Sequence, residues 1–249
     1  MNPNHHTLIF AHRGANKEAA ENTRSAFDRA LDYAIDGIET DVQLSRDEVT
    51  VLWHDRFLSK LGLPETHIDD MDFDQLRALN FAAHFSPMDH EGIMTLQEFL
   101  DAYRQRCRLL IEIKNREWEP LPRHHIKINQ TLSAVGRGAG DAVIMSSFNL
   151  ASLVYAQQQR PGFPLVYNLE DDQTLADAQQ VLVEHPFLHG LCLPIATLDT
   201  HIVKLLRGQR KSLAVYTCNS DAEIRKALKL GVDILITDVP QKAVQLRDA

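Results

Sequence analysis

The sequence predicts an α/β fold, a closed barrel of eight parallel strands wrapped by helices. Two observations predict it. Short runs rich in Val, Ile and Leu alternate with longer segments whose apolar residues recur near helical spacing, as in repeated strand–helix units. Several of those runs end in a titratable side chain, and the C-terminal ends of parallel barrel strands are where such architectures gather their chemistry. The 249 residues, 44% hydrophobic and 24% charged, suffice for one such domain. Residues 1–249 are therefore read as a single TIM (β/α)8 barrel.

The first run, Thr7–Ala11, is followed by a helical segment over Thr23–Tyr33. Gly37–Leu44 and Val49–Trp53 come next, separated only by Ser45–Glu48, far too short for the crossover that parallel neighbours need. They are expected to form an antiparallel hairpin, which reduces nine runs to eight barrel strands. With those four residues as the loop, Leu44 faces Val49 and His54 falls opposite Glu39. From Asp55 to about Met94 the periodicity is lost in a stretch too long for a simple connection, read as an inserted subdomain or lid (55–94) over the barrel mouth. The alternation then resumes. Strand runs at Leu109–Ile113, Ala142–Met145, Leu165–Tyr167, Gly190–Leu193, Leu213–Tyr216 and Ile234–Ile236 are interleaved with helical segments at Leu96–Arg106, Leu150–Gln159, Thr174–Glu184, Thr200–Leu206 and Asp221–Leu230.

A formal charge of -8 argues against a general nucleic-acid binder and against stable association with an anionic membrane, since both want basic surface. It leaves room for an anionic small molecule in a locally cationic pocket. The cysteines, Cys107, Cys192 and Cys218, are odd in number, have no metal-type spacing and fit a reducing compartment. The first residues lack the pattern of a secretory signal, and no apolar stretch is long enough to span a bilayer. A cytoplasmic protein is expected. Oligomeric state is not encoded in any recognisable pattern.

Glu39 and Asp41 lie two apart on a strand, so the pleat sends both carboxylates to one side, where they repel unless a cation compensates. Glu112, in Ile111-Glu112-Ile113-Lys114, repeats the situation on another run. Three carboxylates without a thiol favour one divalent cation of the hard class, Mg²⁺ or Ca²⁺, over zinc. His12 and Arg13 emerge together after Leu8-Ile9-Phe10-Ala11, and Gly14 lets the backbone turn sharply behind them. An imidazole titrating near neutrality can take and return a proton in one turnover, and a guanidinium fork suits phosphate oxygens. A lone histidine at a strand end is more often a packed residue than a catalyst, but its neighbours here change that balance. His54 gives a second imidazole, so base and acid can be divided between His12 and His54. Lys114 shares the pleat face of Glu112 and adds a second cation for a phosphoryl group. The other histidines, including His5, His6, His124 and His125, have no such setting and are read as solvated.

These residues fall into an ordered set. Ala11-His12-Arg13-Gly14, Glu21-Asn22-Thr23, Glu39-Thr40-Asp41, His54-Asp55, Glu112-Ile113-Lys114, Ser147-Phe148, Tyr216-Thr217-Cys218-Asn219, Gly231-Val232-Asp233 and Thr237-Asp238 resemble the glycerophosphodiester phosphodiesterases in order and spacing across nearly the whole chain. The resemblance implies a TIM barrel with a divalent ion on Glu39, Asp41 and Glu112. It further implies His12 and His54 as the acid/base pair, phosphate held by Arg13 and Lys114, and an insertion after His54-Asp55. The chain departs from the family pattern in places. Ala20 precedes Glu21-Asn22-Thr23 where proline is usual, Asp47-Glu48 stands for a common Asp-Gly turn, and Tyr216 stands where many members have tryptophan. Arg56-Phe57-Leu58-Ser59-Lys60 lacks the frequent Leu-x-Arg-Thr pattern, and Met94 precedes Thr95-Leu96 in place of proline. None of these touches the expected ligands or acid/base pair, but several lie where headgroup choice would be made.

The reaction implied is hydrolysis of a small glycerophosphodiester to glycerol 3-phosphate and an alcohol. A lysophospholipase D-like relative would share the same core but would need an apolar groove, for which Phe57, Leu61, Phe81 and Phe85 are the scattered candidates. A non-catalytic barrel that binds a phosphorylated ligand is the remaining alternative.

Overall fold

The computed structural model describes residues 6–85, 89–116, 118–136 and 142–249. β1 (Leu8–His12) leads through α1 (Arg24–Ala30) to β2 (Gly37–Leu44), on which β3 (Thr50–Leu52) folds back. The long stretch that follows carries β4 (Phe57–Leu58), β5 (Leu63–His67) and α2 (Phe73–Arg77). Next come α3 (Leu96–Tyr103), β6 (Arg108–Ile113), α4 (Leu121–Val135), β7 (Val143–Ser147), α5 (Leu150–Gln159) and β8 (Leu165–Asn168). The chain continues through α6 (Leu175–Glu184), β9 (Gly190–Pro194), α7 (Thr200–Gly208), β10 (Ser212–Tyr216), α8 (Asp221–Leu230), β11 (Ile234–Thr237) and α9 (Pro240–Asp248). β1, β2 and β6 to β11 are parallel neighbours in chain order, and β1 pairs with both β2 and β11, which closes the barrel.

Strands buried on both faces explain why the runs read as continuous apolar segments. Phe10, Leu110, Ile144, Val166, Cys192, Ala214, Ile234 and Ile236 fill the barrel interior. Their chain neighbours Ile9, Leu109, Ile111, Val143, Leu165, Leu191 and Leu235 point outward to helix residues such as Phe27, Phe99, Leu153 and Ile224. Gly37 makes room for one interior ring, because a Cβ there would lie 2.5 Å from Phe10 Cζ. The helices begin where polar side chains can cap them: Thr95 with Glu98, Thr174 with Asp177 and Ser220 with Glu223 form reciprocal capping boxes.

The hairpin corrects one expectation. Leu44 pairs with Thr50, Gln43 with Val51 and Val42 with Leu52, so the loop is Ser45–Val49, one residue longer than the sequence reading allowed. Ser45 Oγ donates to Asp47 and accepts from the Val49 amide, and Glu48 takes a left-handed φ of 65°, which together absorb the extra residue. β3 stops at Leu52, and His54 lies beyond the ladder rather than opposite Glu39. A second correction concerns His124, which is buried rather than solvated. Its ring lies 2.9 Å from the Arg116 carbonyl. His125 stacks on Tyr155 with ring centroids 3.7 Å apart.

The stretch after His54 packs a core of its own. Trp53, Leu58, Ile68, Leu76, Phe81 and Ile93 cluster there, with Trp53 edge-on to Phe81. Among the described residues no helix is long and apolar enough to cross a membrane.

Candidate active site

The pleat that fills the barrel also builds the site. Two residues beyond an interior side chain the strand points inward again, so Phe10 is followed by His12, Gly37 by Glu39, Leu110 by Glu112, Ile144 by Ser146, Val166 by Asn168 and Ala214 by Tyr216. All of these polar residues line one cavity of about 190 Å³, together with Arg13, His54, Lys114, Phe148, Cys192 and Thr217. Barrel registers put His12 beside Glu39 and Asp41 beside Glu112. The seven residues singled out in the sequence thus converge. Six line the cavity, and Asp41 lies fully buried against them.

Asp41 is held by cations and an amide. Arg13 Nε stands 3.0 Å from its Oδ2, Lys114 Nζ 3.0 Å from its Oδ1, and Asn22 Nδ2 donates to Oδ2 at 2.9 Å. Burial works against its charge, but Lys114 and Arg13 overcome that and hold the carboxyl well below the usual range. Lys114 also contacts Glu112 Oε1 at 2.6 Å. Glu39 has the opposite fate, because burial and the charge of Asp41 push its carboxyl well above the usual value. The backbone around Arg13 is set for this role. Arg13 itself has a φ of 57°, and Gly14, at φ 82°, packs so tightly that a Cβ would meet the Ala26 carbonyl carbon at 2.5 Å.

Each histidine is oriented by an aspartate. His12 Nδ1 lies 2.6 Å from Asp238 Oδ1, and His54 Nδ1 lies 2.7 Å from Asp55 Oδ1. With Nδ1 donating to a carboxylate, Nε2 carries the lone pair in the neutral ring. Burial lowers the His12 pKa from its ordinary value, partly opposed by the bond to Asp238, which favours the neutral form that can accept a proton. Burial alone would raise the Asp238 carboxyl, yet the His12 bond and charge, Asn16 and Lys17 hold it well below the usual range. The hydrogen bond from His54, aided by Lys60, does the same for Asp55 against the opposing effect of burial.

Sequence reasoning gave these supporting residues no role. Asp238 accepts from Asn16 Nδ2 at 2.7 Å and Asn219 Nδ2 at 2.8 Å as well as from His12. Asn22, at φ 58°, bridges Asp41 and Thr40. Glu21 accepts from Arg13 Nη1 at 3.1 Å. Asp55, Asp238, Asn219, Asn22 and Glu21 all sit in the ordered motif set, which was the available signal. Asn16 carried none. The Tyr216 hydroxyl, extra relative to tryptophan, donates to the Leu169 carbonyl at 2.5 Å and ties the end of β10 to the loop after β8.

Glu39, Asp41 and Glu112 each offer an oxygen, and these atoms lie within 4.8 Å of one another in a buried cluster at the cavity wall. Three carboxylates face two fixed cations, Arg13 and Lys114, and burial together with the charge of Asp41 disfavours the ionised form of Glu39. An all-oxygen donor set of this charge fits a hard divalent cation.

A family model described as the glycerophosphoryl diester phosphodiesterase family matches residues 12–242. A glycerophosphodiester phosphodiesterase of Bacillus altitudinis is 30% identical over 251 residues, covering 97% of this chain and 98% of its own. One from Caldanaerobacter subterraneus subsp. tengcongensis is also 30% identical, over 96% and 97% of the two chains. Among solved structures, a phosphodiesterase of Oleispira antarctica in complex with the product sn-glycerol-3-phosphate superimposes with a TM-score of 0.86 at 25% identity, covering 97% of each chain. With the motif set, the barrel and these likenesses in agreement, the chain belongs to the glycerophosphoryl diester phosphodiesterase family and is a phosphoric diester hydrolase.

Proposed function

We propose that this enzyme hydrolyses small glycerophosphodiesters, such as glycerophosphocholine or glycerophosphoethanolamine, to glycerol 3-phosphate and the free alcohol by histidine acid/base catalysis with one divalent cation. The observation that carries the reading is the pair of aspartate-held imidazoles, at 2.6 and 2.7 Å, on one cavity lined by Glu39, Glu112 and two cations, with Asp41 buried against them. The product bound to the Oleispira antarctica relative supports the glycerol 3-phosphate half of the substrate.

In this reading Glu39, Asp41 and Glu112 hold Mg²⁺ or Ca²⁺. Such an ion, when bound, supplies Lewis-acid stabilisation of phosphoryl charge. Arg13 and Lys114 bind the nonbridging oxygens and stabilise the charge that redistributes as the ester bond breaks. One imidazole Nε2 takes the proton of the attacking hydroxyl, and the other, protonated, gives its proton to the departing alkoxide. The neighbouring glycerol hydroxyl is the preferred attacker, because a tethered nucleophile avoids the entropy cost of capturing water. The cyclic phosphate so formed is then opened by water. The segment 55–94 is read as an inserted subdomain or lid, and three cysteines, odd in number and without metal-type spacing, support a reducing, cytoplasmic setting.

The apolar candidates for a lipid groove give little support to the lysophospholipid alternative. Phe81 is buried within the core of the insertion and Leu61 packs against it, which leaves Phe57 as the exposed candidate, its ring tilted against His67 at 4.6 Å. The test is turnover of glycerophosphocholine, glycerophosphoethanolamine and lysophosphatidylcholine against a panel of divalent ions. Release of glycerol 3-phosphate, lost on chelation and restored by Mg²⁺ or Ca²⁺, is expected. Full activity after exhaustive chelation would remove the metal, and preference for the lysolipid would overturn the substrate assignment. A diester lacking the neighbouring hydroxyl yet cleaved at full rate would remove the cyclic route.

A further inference from the structure

The stretch after His54-Asp55 reaches back into the site through one side chain. Lys60, in the single 3-10 turn between β4 and β5, places its ammonium 2.6 Å from Glu21 Oε1 and 2.9 Å from Asp55 Oδ2. Those carboxylates belong to different segments, the loop after β1 and the connection after β3. Each carries one functional group on its other oxygen: Glu21 Oε2 accepts from Arg13, and Asp55 Oδ1 holds His54 Nδ1. Lys60 is therefore the shared cation between two carboxylates, one orienting the phosphate-binding guanidinium and the other an imidazole.

We propose that Lys60 is a positioning residue for the reaction, fixing Arg13 and His54 relative to each other by bridging Glu21 and Asp55. The inference rests on the roles given above to Arg13 and His54. Without the ammonium, two carboxylates facing a common space repel, and the loops that carry them lose their only direct ionic link among the described residues. The side chain is well placed for the task. Its ammonium lies over the Trp53 ring, 5.7 Å from the centroid, and a third of the side chain is exposed, so it bridges without being sealed in the core. It stands at the fifth position after Asp55, where the chain departs from the family's Leu-x-Arg-Thr pattern, and it retains a cation there. Held groups lose less freedom on reaching the transition state, and misplacement of a catalytic group by even 1 Å is costly.

The test is a double-mutant cycle on kcat and KM for glycerophosphocholine, using Lys60→Met, Asp55→Asn and the double variant, with Lys60→Arg as rescue and thermal melting to verify the fold. Lys60→Met is expected to lower kcat at least tenfold with a smaller change in KM, and Lys60→Arg to recover most of it. If Lys60 acts through Asp55, the double variant is little worse than Asp55→Asn alone. Multiplicative losses in the double variant, or wild-type kcat in a folded Lys60→Met, would overturn the proposal. Should Lys60→Met not fold, Lys60→Gln enters the same cycle under the same criteria. Unimpaired turnover by His54→Ala would instead indicate that the underlying role of His54 has failed, which separates the two readings.

Discussion

Exchange of Asp238 for asparagine preserves shape and replaces one oxygen by an amide nitrogen, yet every polar neighbour of that carboxylate is a donor. His12 Nδ1 and Asn16 Nδ2 approach Oδ1 at 2.6 and 2.7 Å, and Asn219 Nδ2 approaches Oδ2 at 2.8 Å. If the new nitrogen faces His12, the ring must present a lone pair at Nδ1 and carry its proton on Nε2, which removes the proton acceptor proposed at Nε2. If it faces Asn219, two amide donors oppose each other, at roughly 1–3 kcal/mol for the one left unsatisfied. In the Ser–His–Asp triad a tautomer exchange of this kind costs about 10⁴ in kcat. Because one orientation here spares the tautomer, a loss of roughly 10²- to 10⁴-fold is expected. The assay is kcat for glycerol 3-phosphate release by the folded variant, with ¹⁵N NMR of the His12 ring to read the tautomer. A variant within threefold of wild type, with Nδ1 still protonated, would refute the reasoning.

Glu112→Gln should weaken divalent binding and activity together while leaving melting behaviour near wild type; calorimetric titration with Mg²⁺ or Ca²⁺ checks it, and unchanged affinity would exclude Glu112 as a ligand. Lys127 is 1% exposed and donates to the Lys114 carbonyl at 2.7 Å and Glu119 Oε2 at 2.8 Å. Lys127→Met removes the shortest contact to Glu119, leaving Arg123 Nε at 3.6 Å as its remaining cation, and should cost about 1.5–3 kcal/mol in urea denaturation, so a loss below about 1 kcal/mol would be contrary. Asp55 and Asp238 have pKa values depressed on folding, so the stability they contribute is complete above the unfolded carboxylate value near 4 and is lost as pH falls toward their folded values. Denaturation midpoints should therefore decline from about pH 5 downward and decline less steeply in Asp55→Asn; parallel profiles would contradict the assigned shift.

Much of this was legible because each part had a local cause. The apolar runs stand within two residues of the barrel strands, and Gly37–Leu44, Leu150–Gln159 and Asp221–Leu230 match their elements end to end. α4 escaped notice because its inner face carries His124, Lys127 and Thr131, buried polar residues that interrupt the apolar period and become tolerable only once Arg116, Glu119 and the Lys114 carbonyl are at hand. α9 is short and polar, with Pro240 and Ala243 as its buried residues. The hairpin register depended on one left-handed residue, Glu48, which no periodicity reports.

By itself the sequence determined which residues alternate inward on each strand, and hence that Glu39, Asp41 and Glu112 share a face with their neighbours, since pleat and spacing are local. Only the tertiary structure decided their partners. Asp238 meets His12 across 226 residues because β11 closes on β1, and Lys60 meets both Glu21 and Asp55 because the turn between β4 and β5 reaches back to the loop after β1. Those contacts depend on chain closure, and no short-range pattern in the sequence encodes them.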